Sequence, residues 1–133
     1  MAVKQIKIHC VEIEDEPGSL QGLLSQAASE GVDFQCFAAF SAGEGKGAVY
    51  LSAKDASALE GCVVKAGLSV ESAAGFIISG EDKVGAASEA LKSLAEAGVN
   101  GVAGAAMVCG GEYQMLVVVS EADADAAASA LGA

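Results

Sequence analysis

The sequence predicts an α+β protein made of two βαββαβ units, the second ending before its last strand. Three observations carry this. Apolar residues alternate with period two over some stretches and follow i, i+3, i+4 spacing over others, in the order strand, helix, strand, strand, helix, strand. The punctuation repeats: Gly18 to Gly85 is 67 positions, and Gly31 to Gly98 is also 67. At that offset Val32-Asp33 falls on Val99-Asn100 and Pro17 on Val84. An internal repeat sets the architecture before any single motif does.

The first unit begins with a strand over 3–13, where Ile6, Ile8 and Cys10 alternate with Lys7, His9 and Val11. It ends at Asp15-Glu16-Pro17-Gly18-Ser19-Leu20. Pro17 fixes φ near −65° and suits a first helical turn, and Gly18 lets the backbone turn tightly. Leu20, Leu23, Leu24, Ala27 and Ala28 then form one helix face, which Gly31 closes. Phe34, Cys36, Ala38 and Phe40 alternate as a second strand. Gly43-Glu44-Gly45-Lys46-Gly47 resembles a phosphate loop but joins two strands and precedes no helix, so it reads as a hairpin. A strand over 48–53, a helix over 55–65 started by Asp55 or Ser57 and ended by Gly67, and a strand over 68–73 complete the unit.

The second unit repeats the scheme. A strand over 74–79 leads through the junction Gly80 to Gly85 into a helix with Ala87, Leu91, Leu94 and Ala95 on one face, closed by Gly98. Strands over 101–109 and 113–119 flank the turn Gly110-Gly111, and a helix covers 121–131. The implied domains are 1–73 and 74–133. Short connections and right-handed crossovers give each a ferredoxin-like antiparallel sheet with its helices on one face. Ala133 corresponds to Ala66, so the counterpart of strand 68–73 is missing. Strand 74–79 is thus expected to present an open edge, which the rest of the sheet or another chain must cover.

Composition narrows the function. The chain has 133 residues, 53% hydrophobic, and a formal charge of −11, with seven lysines and no arginine. That balance argues against nucleic acid and anionic membranes, which need a basic footprint. No apolar run reaches the ~18 residues of a membrane span. Lys4, Lys7 and Glu12 interrupt any signal-peptide core, and a cytoplasmic location is expected. His9 is the only histidine, and Cys10, Cys36, Cys62 and Cys109 are widely spaced. No metal site or cofactor is expected, and the cysteines read as buried structural thiols. No nucleophile–base arrangement is evident, so catalysis is not expected.

The Asp15-x-Pro17-Gly18-x-Leu20 junction, followed by a helix closing at Gly31-Val32-Asp33, resembles the ACT domain. Gly80-Glu81-Asp82-Lys83-Val84-Gly85 through Gly98-Val99-Asn100 resembles a second, more divergent copy, with Val84 in place of proline. The likeness covers essentially the whole chain and suggests a stand-alone pair of ACT domains. It implies regulatory binding of a small ligand, usually an amino acid, at the interface between ACT units. The implied ligand-binding residues are Asp15, Glu16, Pro17, Gly18, Ser19, Leu20 and Asp33 in the first copy. In the second they are Asp82, Lys83, Val84, Gly85, Ala86, Ala87 and Asn100. The chemistry is compatible: helix N-terminal amides suit a carboxylate, and acidic side chains suit an ammonium. A regulated partner enzyme is implied, and the open edge predicts a homodimer. The competing expectation is an interaction module that has kept the fold and lost the ligand. A metal carrier of the same topology would need a cysteine pair in the first loop, which has none.

Overall fold

The computed structural model describes all 133 residues. In chain order the elements are β1 (Ala2–Glu14), α1 (Ser19–Ser29), β2 (Phe34–Gly43), β3 (Lys46–Ala53), α2 (Ala56–Lys65), β4 (Val70–Glu81), α3 (Ala86–Glu96), β5 (Ala103–Cys109), β6 (Glu112–Val119) and α4 (Ala124–Leu131), the last preceded by a 3₁₀ turn at Glu121–Asp123. No helix is long and apolar enough to cross a membrane.

The chain forms two compact units. The first is Lys7–Ser72, and the second joins Met1–Ile6 to Ala73–Ala133. In the first, the strands are ordered β2-β3-β1-β4, with antiparallel β2–β3 and β3–β1 pairs. Leu23 and Ala27 of α1 and Leu59, Cys62 and Val63 of α2 pack on Val11, Val49, Leu51 and Ala53. Asp55 caps α2, its carboxylate accepting from the Ala58 amide at 3.1 Å.

In the second unit the order is β1-β4-β6-β5, again with antiparallel β4–β6 and β6–β5 pairs. Ala86, Ala90 and Leu94 of α3 and Ala127 and Leu131 of α4 cover Phe76, Ile78, Met115, Val117 and Val119. The βαββα order is therefore repeated as the spacing predicts.

Four expectations are corrected. The strands placed at 68–73 and 74–79 are one strand, β4, because its pairing with neighbouring strands carries the chain straight through Ser72-Ala73-Ala74. The edge expected to lie open on 74–79 is flanked by β1, whose first residues belong to the second unit. Val3 packs on that unit's core and Ile6 is buried. The N-terminus thus stands in for the missing strand, and Met1–Ile6 group with the second unit rather than with 7–73. The first hairpin loop is also tighter than predicted, with only Glu44-Gly45 between paired ends, while the second turns at Gly110-Gly111 as expected. Lys46 and Glu112 therefore correspond at an offset of 66, not 67, and a register shift in β2 between Ser41 and Gly43 takes up the extra residue. Finally, of the four free cysteines only Cys62 is buried; Cys10 and Cys36 are half-buried and Cys109 is exposed. Burial pushes the Cys10, Cys36 and Cys62 thiols up from their ordinary value, which keeps them protonated.

Candidate functional site

The two strand-to-helix loops are built alike. Gly18 and Gly85, the residues before α1 and α3, have φ of 92° and 87°, the left-handed region where a Cβ is costly. The Asp15 amide donates to the Gly45 carbonyl at 2.9 Å, and the Asp82 amide donates to Gly111 at 2.9 Å. The Ser19 amide donates to Glu16 and the Ala86 amide to Lys83, both at 3.2 Å. Val84 occupies the place of Pro17 without changing this pattern, since neither residue's amide is needed there. Ser19 and Ala86 have already used their N–H groups, so the next amides, on Leu20 and Ala87, are the ones left at the helix starts.

The side chains at the predicted positions are placed as follows. Asp15, Glu16, Pro17, Asp82, Ala87 and Asn100 are exposed, and Val84 is fully so. Leu20 is half-buried against the first core, and Ala86 is buried in the second. Asp33 is held by Lys54, with Nζ 2.7 Å from Oδ2, and its carbonyl accepts from the Lys54 amide at 2.9 Å. The Asp33 carboxylate holds the Lys54 ammonium above the ordinary lysine value, and a ligand ammonium would have to displace it. Lys83 lies 3.5 Å from Glu89.

The surroundings of the loops differ. The first opens onto a shallow surface along α1, lined by Glu16, Gly18, Leu20, Gln21, Leu24 and Ser25. The second borders a cavity of about 220 Å³ lined by Met1, Gly80, Glu81, Lys83, Ala86, Glu89 and Tyr113. Tyr113 is 7% exposed, and a Cβ on its cross-strand partner Gly80 would come within 3.1 Å of the ring. Gly80, Glu81, Glu89 and Tyr113, which line this cavity, are not among the predicted ligand-binding residues. They meet only through the β4–β6 register, for which the sequence offers no local signal.

The chain also contains a buried histidine. His9, 1% exposed, places Nε2 2.7 Å from Glu60 on α2, and Lys7 lies 3.4 Å from the same oxygen. His9 and then Lys7 hold the Glu60 carboxyl below its ordinary value. Nδ1 is buried with no hydrogen-bond partner, and nothing in either loop uses it. No group of three or more His, Cys, Asp or Glu side chains forms a metal cage.

No family model matches the chain, and no curated protein matches it in sequence. Solved structures do match in fold. The regulatory subunit of aspartate kinase from Thermus thermophilus superposes over 98% of this chain and 93% of its own, with a TM-score of 0.68 and 17% identity. The fold is a tandem ACT fold. The regulatory subunit from Thermus flavus (TM-score 0.63, 20% identity) covers 98% of this chain and 94% of its own. Protein BT0572 from Bacteroides thetaiotaomicron (TM-score 0.73, 13% identity) covers 96% and 88%. Identities this low carry the ACT fold across and leave function to the side chains.

Proposed function

We propose that the protein is a non-catalytic regulator that binds a small ligand, an amino acid, at its strand-to-helix loops and passes the binding state to a partner enzyme. The observation that carries this reading is the duplicated loop, in which a left-handed glycine presents a helix start twice with the same hydrogen bonds. Such a start suits a carboxylate. The likeness to regulatory subunits of aspartate kinase supports it. The ligand set of the reading is Asp15 to Leu20 with Asp33, and Asp82 to Ala87 with Asn100.

The same reading makes the protein a cytoplasmic homodimer. Four free cysteines fit a reducing compartment. With β4 flanked, self-association falls to the sheet edges. On β5 both Met107 and Val108 are more than half exposed. Light scattering at tens of micromolar should give twice the chain mass.

The test of ligand binding is a thermal-shift scan against the twenty amino acids, confirmed by calorimetry. A ligand at a hundred times its dissociation constant adds about 2.7 kcal/mol to stability. A free amino acid has few heavy atoms, so micromolar affinity is the expected range. A single clear hit supports the reading. No shift with any of the twenty removes it and leaves a protein-interaction module.

A further inference from the structure

We infer that the amino-acid site lies within the second unit, in the cavity bounded by Gly80, Glu81, Lys83, Glu89 and Tyr113, with Glu81 receiving the ligand ammonium and Tyr113 and Lys83 its carboxylate. This rests on the ligand-binding reading above and adds a location and a set of polar contacts.

Three observations converge on it. The first is an unused donor. Tyr113 is more than nine-tenths buried, its ring and hydroxyl lie against Gly80 at the cavity wall, and the hydroxyl has no hydrogen-bond partner in the protein. The hydroxyl opens on the cavity with its donor free, and a ligand carboxylate could accept from it.

The second is an unbalanced charge. In the first unit Glu14 and Lys46 face each other across β1 and β3 and form an ion pair. Their counterparts, Glu81 and Glu112, also face each other across strands, and neither has a counter-ion. Like charges directly opposed destabilise a sheet. A cation placed at Glu81 would restore the balance that Lys46 supplies in the first unit. An α-amino acid brings that cation and a carboxylate within a few atoms of each other.

The third is size. The space of about 220 Å³ beside the loop is far above the roughly 10–15 Å³ that one water needs, so it admits a small organic ligand. A glycine, Gly80, lines the cavity. Its counterpart in the first unit is Ile13, opposite Gly47.

The experiment is calorimetry on the full chain with each of the twenty amino acids, using wild type, Tyr113→Phe and Glu81→Gln. The acid that binds wild type should bind each variant at least tenfold more weakly, while the unliganded melting temperature of the exposed Glu81→Gln variant is not lowered, since the change relieves the repulsion from Glu112. The methyl ester of the same acid should also bind wild type weakly, and should lose less on going to Tyr113→Phe, because both changes remove one contact. Binding to wild type with unchanged affinity in both variants overturns this site and leaves the ligand-binding reading standing. Absence of binding to wild type overturns both.

Discussion

Residues 13 and 47 in the first unit and 80 and 113 in the second are the same cross-strand pair, filled in opposite ways. In the first, Ile13 comes from the leading strand and glycine lies opposite; in the second, glycine leads and Tyr113 lies opposite. One position further out, an ion pair in the first unit is two carboxylates in the second. The backbones around these pairs keep the same loop hydrogen bonds and the same left-handed glycine. Duplication has preserved the frame, while at this pair the large residue has changed strands. In the second unit the exchanged pair, Gly80 and Tyr113, lines the cavity beside the loop. The helices differ as well: α2 buries Leu59, Cys62 and Val63, whereas α4 buries only Ala127 and Leu131.

The largest expected effect tests the helices. Leu59→Ala, at a fully buried site, should cost about 2–5 kcal/mol in urea unfolding. Leu131→Ala, in the last turn of α4 where the chain can collapse inward, should cost less than Leu59→Ala. Equal losses would mean that the two helices bear on their cores alike. Next is the exchanged pair. A Cβ at Gly80 meets the rigid ring of Tyr113 at 3.1 Å, while one at Gly47 meets the Ile13 Cγ1 at 3.2 Å, on a side chain that can change rotamer. Gly80→Ala should therefore cost about 1–3 kcal/mol, and Gly47→Ala clearly less, by the shift in urea midpoint. The reverse ranking would show that the first pair is the tighter one. The smallest effect is electrostatic. Glu112→Lys recreates the pairing of the first unit and should stabilise by no more than about 1 kcal/mol, an increment that shrinks with added salt. No gain at low salt would show that Glu81 is balanced in some other way.

The fold was legible because each element leaves a local record. Leu20, Leu23, Leu24 and Ala27 mark α1 by spacing, and paired glycines mark the helix ends in both units. Joined strands left no such record. Ser72-Ala73-Ala74 is as compatible with a bend as with a continuous strand, and only pairing on both sides decides it. A clue did exist in β1, whose 13 residues are about twice the usual strand length, enough to serve two sheets. The loops of the candidate site were legible through Pro17, Gly18 and their repeat. The cavity was not, because Gly80 and Tyr113 are 33 positions apart and meet only through register. The constant offset of 67 also hid the correspondence of Lys46 with Glu112, since one residue is lost between the second helix end and the second hairpin.

The placement of Ala2–Ile6 beside β4 bears on how the chain folds. Ile6 and Ala73 are 67 positions apart, so this part of the second unit cannot form by local zipping. Most of the first unit can condense from neighbouring segments, but the second is completed only when the earliest-made residues return to β4 in the middle of the chain. Loop closure over that distance adds only modest free energy, since each doubling of length costs about 0.6 kcal/mol, but contacts of long sequence separation slow the search. It also means that no single cut yields two whole units. Dividing the chain between Ser72 and Ala73 would leave Met1–Ile6 attached to one piece while its sheet lies in the other. Five residues of strand at the N-terminus thus belong to a different unit from the rest of their strand.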